Sequence, residues 1–148
     1  MNTVDEVLDY AIGQEQQAAD FYADMAQRAE KGGMKEIFLE FSHEEERHRD
    51  KLLDVKQGDQ ALHAHQAVID LKISDYLVDV DAHEQISYQD ALIVAMKRER
   101  AAFQLYSDMA GKVEDASLKE VFLGLAKEEA KHKLFFESEY DERVLRDN

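Results

Sequence analysis

Two short segments, EEERHRD at residues 44–50 and EEAKH at 128–132, carry the side chains best suited to chemistry. Each holds a Glu-x-x-His pair: Glu45 with His48, and Glu129 with His132. Residues three apart on a helix lie on one side, so each pair presents a carboxylate and an imidazole together. At about 100° per residue, Glu45 and His48 continue the apolar line of Phe38, Phe41 and Leu52. Glu129 and His132 continue that of Leu118, Val121, Phe122 and Leu125. Two more carboxylates share this odd placement. Glu15 falls among Leu8, Ala11, Ile12, Ala19 and Tyr22, and Glu99 takes the same place in a later segment. Glu44 and Glu128 sit further round, towards the edge of their stripes, so Glu45 and Glu129 are the expected inward carboxylates.

Each feature alone has a plain explanation. A single Glu-x-x-His on a charged helix is usually a solvated face, and Tyr22 and Tyr106 alone would be core aromatics. Together the features place four carboxylates and two imidazoles in one helical interior. Burying an uncompensated carboxylate costs on the order of several kcal/mol. By the same angular count no Lys or Arg lies on these stripes; Lys35, Lys119, Arg47 and Lys131 point elsewhere. Two divalent cations would balance four carboxylates. Oxygen and imidazole donors suit iron or manganese, with zinc a possible substitute. Glu45 and Glu129 are placed to bridge two ions, and Glu15 and Glu99 to bind at the ends. The chain has no cysteine, which excludes disulfides, thiolate zinc sites and iron–sulfur clusters. The other histidines read more plainly. His43 falls on a polar face, His63 and His65 in a solvated segment, and His83 has no evident partner.

Helices must position these groups. Thr3 and Glu6 form a capping-box pattern that opens a first helix, and EKGGM ends it. A second helix runs to near Gly58. Ser87 with Asp90 opens a third, GKVEDAS is the next turn, and a fourth runs to about Val144. Residues 58–86 form a long connection. Within it LKISDYLVDV is compatible with a short helix or an extended crossover. Residues 3–48 and 87–132 repeat at a constant offset of 84 without a gap. The repeat matches Glu15 with Glu99, Tyr22 with Tyr106, Glu45 with Glu129 and His48 with His132. Two copies of a helical hairpin predict an all-α four-helix bundle in a single domain spanning 1–148.

Composition agrees. The chain has 148 residues, no proline and a formal charge of −15, which suits a helical protein. That charge makes nucleic acid and anionic membranes unexpected partners. No apolar run approaches the roughly 20 residues that span a bilayer. The opening MNTVDEVLDY lacks the basic start of a signal peptide, so a cytoplasmic protein is expected.

With these residues in place, the sequence resembles the ferritin-like di-iron carboxylate proteins, and within them the rubrerythrin-like branch. The resemblance spans both hairpins. It implies a ferritin-like fold, two iron ions per chain, and the ligands Glu15, Glu45, His48, Glu99, Glu129 and His132. It implies that Tyr22 and Tyr106 hydrogen-bond ligand carboxylates and hold their orientation. It also implies reduction of hydrogen peroxide or O₂. There is no rubredoxin-type cysteine quartet, so electrons are expected from a separate donor such as a rubredoxin-like protein. The family's extra carboxylate, one turn after the third-helix ligand, is here Ala102, matched by Ala18. The ligand set also resembles that of bacterioferritins. Glu46, however, stands where those proteins carry a haem-binding methionine, so no haem is expected. Two other functions are compatible with the residues: Fe(II) binding and oxidation for iron handling, and a structural bundle with a vestigial site. A homodimer is expected, since near-equivalent hairpins can pair within or between chains.

Overall fold

The computed structural model describes residues 2–29, 32–58, 68–78 and 86–147. The chain forms two compact units, Met1–Ile73 and Ser74–Asn148. Each holds one helical hairpin.

In the first unit, α1 spans Val4–Arg28 and α2 spans Gly32–Gln57. The expected capping box is formed. The Glu6 N–H donates to the Thr3 hydroxyl at 3.1 Å, and the Thr3 N–H donates to the Glu6 carboxylate at 2.9 Å. Two backbone donors that a helix start leaves over are thereby satisfied. These bonds also hold the Glu6 carboxyl below its usual range. Thr3→Ala is therefore expected to cost about 1 kcal/mol, or roughly 2–4 °C in melting temperature for a chain of this size. Thermal unfolding of the metal-free protein measures it.

The α1 stripe that faces the hairpin core includes Val4, Leu8, Ala11, Ala18, Ala19, Tyr22, Met25 and Ala26, all buried. Phe38 and Leu52 answer it from α2. Ser42 is buried there too, and its hydroxyl donates to the Ala19 carbonyl at 2.8 Å, tying the helices side by side. The paired glycines behave differently from the sequence expectation. α1 has already ended at Arg28, with the Ala29 N–H bonded to the Ala26 carbonyl, and Gly32 and Gly33 open α2.

The connection is extended just before LKISDYLVDV, and that segment itself holds a short 3₁₀ helix. Asn2–Thr3 (β1) pairs antiparallel with Val68–Ile69 (β2), Asn2 opposite Ile69 and Thr3 opposite Val68. The Asn2 side-chain amide donates to the Leu71 carbonyl at 3.0 Å. Ile69 and Leu71 are buried. A 3₁₀ turn follows at Ile73–Tyr76.

In the second unit, α3 spans Tyr88–Lys112 and α4 spans Ala116–Asp147. The Ser87 hydroxyl accepts from the Asp90 N–H at 3.0 Å, as expected. Asp115 caps α4, accepting from the Leu118 N–H at 3.0 Å. Its repeat mate in the sequence is Lys31. Leu92, Ala95, Tyr106 and Met109 of α3 are buried, as are Leu118, Phe122, Leu125 and Phe136 of α4. The Tyr76 hydroxyl donates to Asp108, which also accepts from the Gln104 side-chain amide. Burial first, and then the Asp108 carboxylate, raise the Tyr76 phenol above its usual range. Asp24, the repeat mate of Asp108, pairs instead with Arg28 at 3.7 Å.

Candidate metal centre

Glu15 stands near the middle of α1, and Glu45 and His48 one turn apart on α2. All three are buried, Glu15 and Glu45 at 2% and 1% exposure. His48 Nδ1 lies 3.5 Å from Glu15 Oε2 and 3.5 Å from Glu45 Oε1. The second unit repeats the arrangement. Glu99 of α3 and Glu129 of α4 are each 1% exposed, and His132 is 2% exposed. His132 Nδ1 lies 3.7 Å from Glu99 Oε1. Within each triad one ligand atom per residue lies within 4.8 Å of the others. The structure thus brings together Glu15, Glu45 and His48 in one hairpin, and Glu99, Glu129 and His132 in the other.

The donor sets fit a divalent cation. A direct hydrogen bond would draw these atoms to about 2.7–3.2 Å. Two ligands that share one ion at about 2.1 Å each stand roughly 3.0–3.5 Å apart. The observed 3.5–3.7 Å separations lie nearer the second case. Charge agrees. Within a triad one imidazole can offset at most one of two carboxylates, and each buried charge must otherwise bear a large desolvation cost. Carboxylate and imidazole donors without thiolate suit iron, manganese or zinc.

The neighbouring carboxylates lie outside the triads. The Glu44 side chain is 22% exposed and 3.9 Å from Arg47. That of Glu128 is 43% exposed and 3.5 Å from Lys131. Lys35, Arg47, Lys119 and Lys131 are exposed, as their angular positions require. Arg98 departs from the pattern. It is half-buried on α3 beside Glu99, with a buried Nε. Its repeat mate is Gln14, so the repeat gave no signal for it.

Tyr22 and Tyr106 are buried at 0% and 1% exposure, two turns beyond Glu15 and Glu99. The Tyr22 ring meets Phe41 edge-on with centroids 6.1 Å apart, and Tyr106 stacks on Phe122 at 6.3 Å. Ala18 is buried and Ala102 half-buried, so neither hairpin offers a further carboxylate there. His43 is exposed on α2, whereas His63, His65 and His83 lie outside the described residues. Among the described residues no helix is long and apolar enough to cross a membrane.

No protein of curated function matches the sequence. Among solved structures, the fold matches a Thermotoga maritima protein assigned to the ferritin-like diiron-carboxylate class. The TM-score is 0.79 at 17% identity, over 96% of this chain and 97% of that one. This likeness fixes the fold class as an all-α, ferritin-like four-helix bundle. The rubrerythrin family model matches residues 6–140, a span that holds both triads and both tyrosines. The chain therefore belongs to the rubrerythrin family.

Proposed function

We propose that the protein is a di-iron oxidoreductase that reduces hydrogen peroxide with electrons from an external donor. The observation that carries this reading is the pair of buried, repeat-related Glu-Glu-His triads. Together the triads would hold two ions per chain. When bound, two ferrous ions supply the two electrons that, with two protons, convert one peroxide to two waters. The chain's own residues prepare the site for that. Glu15, Glu45 and His48, with Glu99, Glu129 and His132, supply four negative charges that neutralise two divalent ions. Four carboxylates and two imidazoles need not fill both coordination shells, which leaves room for an oxidant. Tyr22 and Tyr106 would hydrogen-bond ligand carboxylates and hold their orientation. Electrons come from a separate carrier, a rubredoxin-like protein by the family's chemistry, and the reading places the protein in the cytoplasm as a homodimer.

A second reading is favoured by Ala18 and Ala102. Without a further carboxylate beside either triad, oxidised iron is held less firmly, which suits a protein that oxidises Fe(II) and passes it on. A −15 protein also concentrates cations. The two readings separate on turnover. Anaerobic protein loaded with Fe(II) is mixed with peroxide and, separately, with O₂, and iron oxidation is followed by absorbance. Peroxide is expected to react faster, with two irons retained through repeated cycles. If O₂ reacts ten times faster and iron is released, the iron-handling reading replaces the peroxidase one.

A further inference from the structure

One face of α4 carries exposed leucines along its length. Leu123, Leu134 and Leu145 are 53%, 61% and 77% exposed. They recur every 11 residues, and three turns of about 3.6 residues return to nearly the same angle. The stripe therefore runs straight along one side of the helix for about 33 Å. The internal repeat provides a control. At the same offset of 84, the mate of Leu134 on α2 is Asp50, which is exposed. The mate of Leu123 is Leu39, itself 37% exposed, so it is the centre of the stripe, at Leu134, that sets α4 apart from α2.

Charges along this face include partners placed symmetrically about Leu134. Lys127 is exposed on the N-terminal side of Leu134, and Asp141 and Glu142 are exposed on the C-terminal side. Positions symmetric about Leu134 have numbers that sum to 268. Leu123 and Leu145 form such a pair, and Lys127 and Asp141 form another. We propose that this face of α4 docks antiparallel on the same face of a second copy, with the two-fold axis passing through Leu134. Leu134 then meets its own counterpart, and Leu123 meets Leu145 at both ends. Lys127 faces Asp141, with Glu142 beside it, twice. An isologous contact must be self-complementary in this way. A parallel arrangement would set Lys127 against Lys127 and acid against acid. The inference is independent of the metal reading. It also differs from an exchange of hairpins, which would leave the stripe uncovered.

The chain has no cysteine, so single cysteines report on the register without background. The protein should sediment as a dimer at micromolar concentration. Leu134→Cys should form a disulfide-linked dimer under mild oxidation, whereas Asp50→Cys should not. Leu134→Glu should shift the protein to monomer while its helical circular dichroism is unchanged. Lys127→Glu should weaken the dimer at least tenfold, and adding Asp141→Lys should restore it. A monomeric parent protein overturns the proposal. So does a dimer that survives Leu134→Glu, or a Leu134→Cys dimer that fails to cross-link, since either places the contact elsewhere.

Discussion

Glu45→Gln is expected to move stability in opposite directions with and without metal. In the metal-free protein, Glu15 and Glu45 bring two carboxylates into one site at 2% and 1% exposure. His48 Nδ1, 3.5 Å from each, can offset one charge but not both. The amide preserves shape and removes one buried charge, so the metal-free variant should gain about 1–3 kcal/mol. That is roughly 2–4 °C per kcal/mol for a chain of this size. In the loaded protein the sign reverses. Metal bound at a thousandfold excess over its dissociation constant stabilises the fold by about 4 kcal/mol per site. The neutral amide is a weak ligand and forfeits most of that gain at its triad. Anaerobic scanning calorimetry of both proteins, with Fe(II) and with chelator, gives all four values. A variant that melts lower in both states would show that Glu45 supports the packing and does not serve as a ligand.

The second large effect concerns which of two adjacent glutamates binds metal. The parent protein should take up two equivalents of Fe(II) under anaerobic conditions, as measured by elemental analysis after desalting. Glu45→Ala and Glu129→Ala should each weaken binding at their triad more than about a hundredfold. Loss of a group that merely orients a ligand already costs about 10–100-fold. Glu44→Ala should still bind two, because the Glu44 side chain is 22% exposed and faces Arg47 at 3.9 Å. Loss in Glu44→Ala equal to that in Glu45→Ala would put the wrong carboxylate at the metal. Saturation at one equivalent in the parent would remove the two-ion reading altogether.

The departures from the family pattern bear on both results. Ala18 and Ala102 leave each triad with two carboxylates and one imidazole, so the two halves are nearly equal in donors. They are less equal in what surrounds them. Ser42 ties α2 to the Ala19 carbonyl at 2.8 Å, and its repeat mate is Ala126. Arg98, next to Glu99 in sequence, has a buried Nε, and its repeat mate is Gln14. The two triads are therefore expected to bind metal with different affinities, resolved as two steps in a titration.

The positions of the buried carboxylates and imidazoles were legible in the sequence for a simple reason. A helix turns by a constant angle, so a residue's face follows from its number once the apolar stripe is known. That arithmetic separated Glu45 from Glu44 and Glu129 from Glu128. The 84-residue repeat then made each assignment twice over. Caps were legible as well, because Thr3 with Glu6 and Ser87 with Asp90 act within one turn. The tertiary structure decided what depends on residues far apart in the chain. The pairing of Asn2–Thr3 with Val68–Ile69 joins strands of two residues, too short to show any period. Tyr76 reaches Asp108 across 32 positions, whereas the matched Asp24 turns to Arg28 four residues away. Identical residues thus took different partners because their surroundings differ. Local angle and spacing determined which side chains face inward; only the packing of distant segments determined what meets them there.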